Sequence, residues 1–332
     1  MLAQSVDDFP ESGDWVYEPK FDGFRCLALC VGGRVELYSR ALTQLTRSFP
    51  ETAVALKATV PAGSVLDGEL VHWSPATGRL DFAVLQQRLG VGHRRAAQLA
   101  QAKPISYVVF DCLEAPGHGD LRSRPLHERR RVLEELLRDA DGTGLVLLCP
   151  QETSEARARI WLEVLVDQAV EGVLIKAADG RYRPGVRGWY KLKHYDETLA
   201  VCGGYTGSLS AVRGLLLGRF PSDGGRLRMV GRTGPPPARL RSELAAQFAA
   251  RALATASAEH EHPWPAELPA TWASGLPKSG APLAYVRVEP TLVVEVAVDI
   301  ATAHGRWRHL ARLEDVRPDL HPGQVPLDLD VE

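Results

Sequence analysis

Lys20 sits in the stretch Glu18-Pro19-Lys20-Phe21-Asp22-Gly23-Phe24-Arg25, between the β-prone runs Trp15-Val16-Tyr17 and Cys26-Leu27-Ala28-Leu29. A lysine amine has an ordinary pKa of about 10.4, so at neutral pH it is protonated and a poor nucleophile. Desolvation, or the company of other cations or a metal, makes it reactive. Such an amine can attack phosphorus. Asp22-Gly23 predicts a tight turn joining two strands, which would aim the amine from a scaffold. The ordinary alternative is a surface Lys-x-Asp-Gly turn, and the rest of the chain decides between the two.

Four further places carry residues that nucleotide chemistry can use. Asp67-Gly68-Glu69 is expected to put a carboxylate after a sharp turn at a strand junction, where it could hold a ribose hydroxyl or a metal. Glu171-Gly172-Val173-Leu174-Ile175-Lys176 puts a second carboxylate at the mouth of a strand. Lys191 and Lys193 point to one face of a strand, because alternate residues do. Phe110 precedes Asp111 at the end of an apolar strand, a good place for a ring to stack on a base. Taken singly, each has a plainer reading: a surface turn acid, a core aromatic, an exposed strand face. Their occurrence in one fixed order is the informative part.

These residues need elements to hold them. Residues 15–38 predict strands, with Gly32-Gly33 as a hairpin turn. Residues 51–57 carry helical spacing, as do 81–101, interrupted by Gly90 and Gly92, and 125–138 behind Pro125. Ile105 to Leu113, Leu145 to Cys149 and Val173 to Lys176 read as strands, with a helix after Thr153 or Ser154. Strands dominate, with helices inserted between them. That predicts an α+β fold on antiparallel sheets rather than a doubly wound parallel one. The text changes near Asp196-Glu197, dividing the chain into domains 1–196 and 197–332. The second half predicts short strands at 199–205, 214–220, 227–231, 285–288 and 291–298, a helix near 238–254 and a Pro/Trp-rich loop over 261–282. Five strands and one helix suit a small β-barrel such as an OB-fold.

Composition sets the bounds. The 332 residues suffice for two domains with real cores, and 45% hydrophobic with 24% charged residues is ordinary for a soluble globular protein. The net charge of −2 does not announce a nucleic-acid binder, so any such role rests on local Lys and Arg clusters. Five cysteines without a Cys-x-x-Cys pair fit reduced, buried thiols better than a disulfide frame or zinc site. The opening residues lack a signal-peptide pattern, and the apolar runs are too short for a membrane span.

The ordered set Lys-x-Asp-Gly, Ser-Arg, Asp-Gly-Glu, Phe-Asp, Glu-Gly-Val-x-x-Lys and Lys-x-Lys resembles the motifs of the lysine nucleotidyltransferases: ATP-dependent DNA ligases, RNA ligases and mRNA capping enzymes. Phe21-Asp22-Gly23-Phe24-Arg25, Ser39-Arg40 followed by Phe49-Pro50-Glu51, and the Leu-Gln-x-Arg core of Phe82 to Arg88 are most similar to bacterial ATP-dependent DNA ligases, in particular the two-domain ligase C group. The resemblance implies that Lys20 takes up AMP from ATP and releases pyrophosphate. AMP then passes to the 5′-phosphate of a nick, and the 3′-hydroxyl displaces it. It further implies Mg²⁺, with Mn²⁺ as substitute, on Glu171 first and Glu69 second. Phe110 would stack on adenine while Glu18 and neighbouring backbone read its edge. Arg25 and Arg40 would serve ribose, triphosphate or the nick phosphate, and Lys191 and Lys193 would help activate Lys20. Near the C-terminus, Arg317 and Arg308 are the candidates for pyrophosphate or DNA contact; the lysine usual in that motif is Leu320 here. Nicked duplex DNA is the implied partner, for a monomer in the cytoplasm, on the nucleoid, with repair proteins as further partners. Two other readings remain: an RNA ligase or GTP-using capping enzyme, and a catalytically dead nucleic-acid binder of the same fold.

Overall fold

Among the described residues, ten strands and five α-helices build the first of two units, Met1–His194. The strands are β1 Leu2–Ser5, β2 Trp15–Pro19, β3 Phe24–Val31, β4 Arg34–Ser39, β5 Ser64–Val71, β6 Ser106–Ala115, β7 Gly119–Asp120, β8 Val146–Leu148, β9 Gly172–Ala177 and β10 Arg187–Lys193. The helices are α1 Pro50–Thr59, α2 Phe82–Gln86, α3 His93–Ala102, α4 Leu126–Leu136 and α5 Glu155–Val164. This computed structural model describes residues 1–138, 142–252, 262–269, 282–303 and 305–329.

Two sheets make the first unit. One has the order β1-β10-β9-β2; the other runs β4-β3-β5-β6-β7, with β8 beside β6. Most pairs are antiparallel, as the sequence predicts, but β1–β10 and β6–β8 are parallel. Period-two alternation gives the second sheet two apolar faces. Cys26, Ala28, Leu66, Tyr107 and Val109 pack with Leu56 of α1 and Leu133 of α4. On the other face, Val108 and Phe110 join Trp189 of β10, Tyr182 and Met1.

Local signals are met where they are self-contained. Gly32 and Gly33, at φ 57° and 74°, turn β3 into β4 with Val31 opposite Arg34, the two-residue loop that such dihedrals favour. Ser154 accepts from the Arg157 N–H and caps α5; Asp81 does the same for α2 from Ala83 at 3.0 Å. Two expectations change. Asp22-Gly23 is no hairpin, because β2 pairs with β9 and β3 with β4 and β5, so the chain crosses there between sheets. Asp67-Gly68-Glu69 lies inside the continuous strand β5, at a bulge opposite β6, not after a sharp turn. All five cysteines are buried thiols.

The second unit is Tyr195–Glu332. Its strands are β11 Asp196–Ser208, β12 Ala211–Arg219, β13 Arg228–Arg232, the short β14 Glu267–Leu268 and β15 Leu283–Ala284, β16 Val286–Val298, the short β17 Thr302–Ala303 and β18 Arg306–Trp307, and β19 Arg312–Arg317. Five of them form a sheet in the order β13-β12-β11-β16-β19. Among the described residues its ladders do not close into a barrel; a parallel bridge, Thr233 to Ala311, joins the ends of the two edge strands. The predicted strands 285–288 and 291–298 are one long strand, β16. β19, which the sequence reading took only as a basic motif, is the fifth strand. Helix α6, Arg241–Ala250, packs Leu244 and Phe248 on the sheet, with Phe248 stacked on Tyr205 at 4.5 Å. The predicted end of that helix, and much of the 261–282 loop, lie outside the described residues. Among the described residues no helix is long and apolar enough to cross a membrane.

Candidate active site

The β2–β9 ladder runs one step past its last strand residue and seats Lys20. The Lys20 N–H donates to the Gly172 carbonyl at 2.8 Å, and the Glu171 N–H donates to the Lys20 carbonyl at 2.9 Å. On the far side of β9, Lys193 of β10 pairs with Gly172. Gly172 makes this close approach possible. Its φ is +150°, and a Cβ there would lie 2.1 Å from the Leu192 carbonyl oxygen, so no other residue fits without moving the strand.

Three side chains from three neighbouring strand ends therefore meet. Lys20 Nζ contacts Glu171 Oε2, and Lys193 Nζ lies 3.1 Å from the same oxygen. The Glu171 side chain is 2% exposed and that of Lys20 is 20% exposed, so the acid is sealed while the amine keeps an opening. Lys191 is held below the usual lysine range, by burial first and then by repulsion from Lys20 and Lys193. Glu69 pairs with Arg25 across β3–β5. It keeps some solvent contact, yet surrounding protein pushes its carboxyl up to about 8, against the pull of Lys20 and Arg25.

A second cluster lies on the same face of β2. Glu18 and Lys176 are both fully buried, with Lys176 Nζ 2.5 Å from Glu18 Oε2. The two atoms thus form a buried ion pair. Gln151 Nε2 donates to the other Glu18 oxygen at 2.9 Å. The Lys176 ammonium also lies 4.5 Å from the Phe110 ring centroid and 4.3 Å from that of Trp189, within cation–π range. Phe110 is 5% exposed and meets Trp189 edge to face at 5.8 Å.

Arg25 stacks on Trp189 at 5.1 Å and Phe110 at 5.6 Å. Its guanidinium grips Asp67 through both carboxylate oxygens, at 3.1 and 2.6 Å, and Tyr182 donates to Asp67 at 2.8 Å. Arg40 is exposed and lines a groove with Arg25, Tyr182 and Met1. Behind Phe110, Asp111 is clamped by Arg129 at 2.7 and 2.8 Å, both fully buried.

The structure thus gathers Lys20, Glu171, Lys191, Lys193 and Glu69 around one amine, and Glu18, Phe110 and Arg25 around the aromatic wall. Arg308 and Arg317 belong to the second unit. Arg317 on β19 is gripped by Asp319 at 3.0 and 2.8 Å, with Glu295 at 3.4 Å. Sequence reasoning missed Lys176, Gln151 and Trp189 as members of the wall. A signal existed for the first: Glu18 and Lys176 are opposite charges inside two apolar strands, and buried charges need partners.

The family model for an ATP dependent DNA ligase domain matches residues 1–193. The chain is 36% identical over 331 residues to DNA ligase C2 of Mycolicibacterium smegmatis, covering 96% of this chain and 90% of that one. It is 30% identical to the multifunctional non-homologous end joining protein LigD of Mycobacterium bovis, covering 95% of this chain and 38% of LigD. A solved Lig E DNA ligase, at 15% identity, shares the fold with a TM-score of 0.54, covering 96% of this chain and 100% of that one.

Proposed function

The chain belongs to the ATP-dependent DNA ligases, and we propose that Lys20 is the amine that carries AMP in its reaction. The observation that carries this reading is the meeting of Lys20, Glu171 and Lys193. Glu171 holds the Lys20 amine in place and is near enough to receive its proton. Lys193 and Lys191 supply positive charge beside the phosphates, where nucleotidyl transfer needs it. Lys20 Nζ attacks the α-phosphorus of ATP as the bond to pyrophosphate breaks. AMP then moves to the 5′-phosphate of a nick in duplex DNA, and the 3′-hydroxyl displaces it to seal the strand.

The base wall fits a nucleotide. Glu18 and Lys176 are a buried charge pair beside the Phe110 and Trp189 rings. Phe110 supplies a ring for stacking, and Glu18 faces the edge of the base. Arg25 and Arg40 are proposed for ribose and phosphate, since guanidinium grips phosphate through two bonds. The carboxylates of Glu171 and, after losing its proton, Glu69 fit a hard divalent cation. Mg²⁺, or Mn²⁺ in its place, would supply charge neutralisation at the phosphate oxygens.

We read the second unit as an OB-fold. In support, its five long strands run in the order 3-2-1-4-5 with a parallel bridge between the third and fifth, and its helix lies between the third and fourth. The domains are proposed as 1–196 and 197–332. Arg308 and Arg317 are proposed to contact DNA or pyrophosphate, Arg317 exchanging Asp319 for phosphate; affinity for DNA should then fall as salt rises. The enzyme acts as a monomer on nicked duplex DNA of the nucleoid, and the end-joining relative favours a role in repair.

A nicked duplex incubated with Mg²⁺ and ATP, GTP or NAD⁺ tests the reading. Sealing with ATP alone is expected, and its loss in Lys20→Ala. Protein labelling by GTP alone would favour a capping-type enzyme instead.

A further inference from the structure

We propose that Leu42 is a DNA-docking residue, whose side chain packs against the deoxyribose faces of the strand that Arg40 holds by a phosphate. This rests on the reading of nicked duplex DNA as the substrate, with Arg40 on a phosphate.

The turn after β4 holds Leu42 at φ 60°. That is the left-handed region, which a Cβ disfavours and which glycine takes freely. The turn is not loose there. The Leu42 N–H donates to the Ser39 carbonyl at 2.8 Å, and the Ser39 N–H to the Thr43 carbonyl at 2.9 Å. The Thr43 N–H donates to Ser39 Oγ at 3.1 Å, and beyond the turn the Leu45 N–H donates to the Leu37 carbonyl at 2.7 Å. The backbone is therefore fixed in a conformation ill suited to leucine. Nor does the core take up the side chain: at 71% exposed, Leu42 is more open than any other large apolar residue described. Strain of this kind persists where the side chain has a use outside the fold.

The neighbours of Leu42 identify the occupant. It lines one groove with Arg25, Arg40, Leu27, Tyr182 and Pro184, and among the described residues no acidic side chain lines that groove. Arg25 is already held by Asp67. Arg40, two residues before Leu42, is exposed and has no carboxylate partner among the described residues. An open guanidinium beside leucine and proline side chains fits a polymer that alternates phosphate and sugar. The phosphate takes the cation, and the apolar C–H faces of deoxyribose lie on Leu42.

Binding of a nicked duplex that lacks the 3′-hydroxyl, followed by fluorescence anisotropy across a salt series, tests this. Glycine suits the backbone at this position, so Leu42→Gly should melt at or above the wild-type temperature. Its Kd for the nicked duplex should nevertheless rise about tenfold, the loss of one buried apolar side chain. The slope of log Kd against log salt should not change, because an apolar contact releases no counter-ion; Arg40→Ala should lower it by about one. Leu42→Asn, which also tolerates a left-handed backbone, should weaken binding like Leu42→Gly. An unchanged Kd in Leu42→Gly would overturn the proposal. So would a weaker Kd with the lowered slope, since the loss would then come from a displaced Arg40. A wild-type slope in Arg40→Ala, or a wild-type enzyme that does not bind the nicked duplex, would instead overturn the reading beneath it.

Discussion

Lys193 Nζ lies 3.1 Å from Oε2 of Glu171, the same oxygen that Lys20 Nζ contacts. One buried acid therefore ties two lysines that are far apart in sequence. Removing Lys193 takes from Glu171 one of its two lysine contacts and a positive charge from beside Lys20. Lys193→Met should slow the formation of labelled enzyme from ATP at least tenfold, about 1.4 kcal/mol or more of lost charge-assisted interaction. Rapid-quench labelling at saturating ATP measures this; a rate equal to wild type would remove Lys193 from the site.

Gly172 is the hinge of the same arrangement. With φ +150° and the Leu192 carbonyl oxygen 2.1 Å from any Cβ, Gly172→Ala should cost about 2 kcal/mol or more through strain and forced strand displacement. Urea denaturation followed by fluorescence should show a lower midpoint, and labelling should fall with it because Lys20 hangs on the Gly172 carbonyl. A variant with wild-type midpoint and labelling would show that the strand yields freely.

The elements that could be read from the sequence are those set by neighbours along the chain. The Gly32-Gly33 hairpin and the Ser154 cap are decided within a few residues. Asp22-Gly23 carries the same turn chemistry, yet β2 finds its partner at β9, some 150 positions on, and no local signal says so. The family was legible from the motifs as a set because their order is specific. Their grouping was not: Lys176 was read only as the last residue of the Glu-Gly-Val-x-x-Lys motif, and only the β2–β9 pairing brings it to Glu18. β19 was obscured because alternating Arg, Asp and Glu residues read as a charged surface, while Leu313 and Val316 alone face the core.

Arg129 and Asp111 anchor the end of β6 next to Phe110. The guanidinium also donates to the Arg124 and Gly180 carbonyls, at 2.7 and 2.8 Å. Arg129→Met leaves a fully buried carboxylate without its partner and should destabilise the protein by about 3–5 kcal/mol. Chemical denaturation checks the loss. Adding Asp111→Leu should recover part of it, since the unpaired charge is then gone. A single variant as stable as wild type would contradict the clamp.

Glu69 gives stability a pH dependence of definite sign. Its carboxyl is raised from 4.5 to about 8 by burial, so the folded protein binds the proton more tightly than the unfolded chain does. Its contribution to stability is therefore full below pH 4.5 and is lost as pH rises towards 8. Glu69→Gln mimics the neutral acid and should flatten that decline. Denaturation midpoints from pH 5 to 8.5 compare the two; parallel curves would show that Glu69 is not desolvated.

The central claim is that the Lys20 amine becomes bonded to AMP. Wild-type enzyme incubated with ATP and Mg²⁺, digested and analysed by mass spectrometry, should carry one AMP on the peptide that contains Lys20, and Lys20→Ala should carry none. An adduct on Lys191 or Lys193 instead, or an unmodified protein with every divalent ion tried, would contradict it.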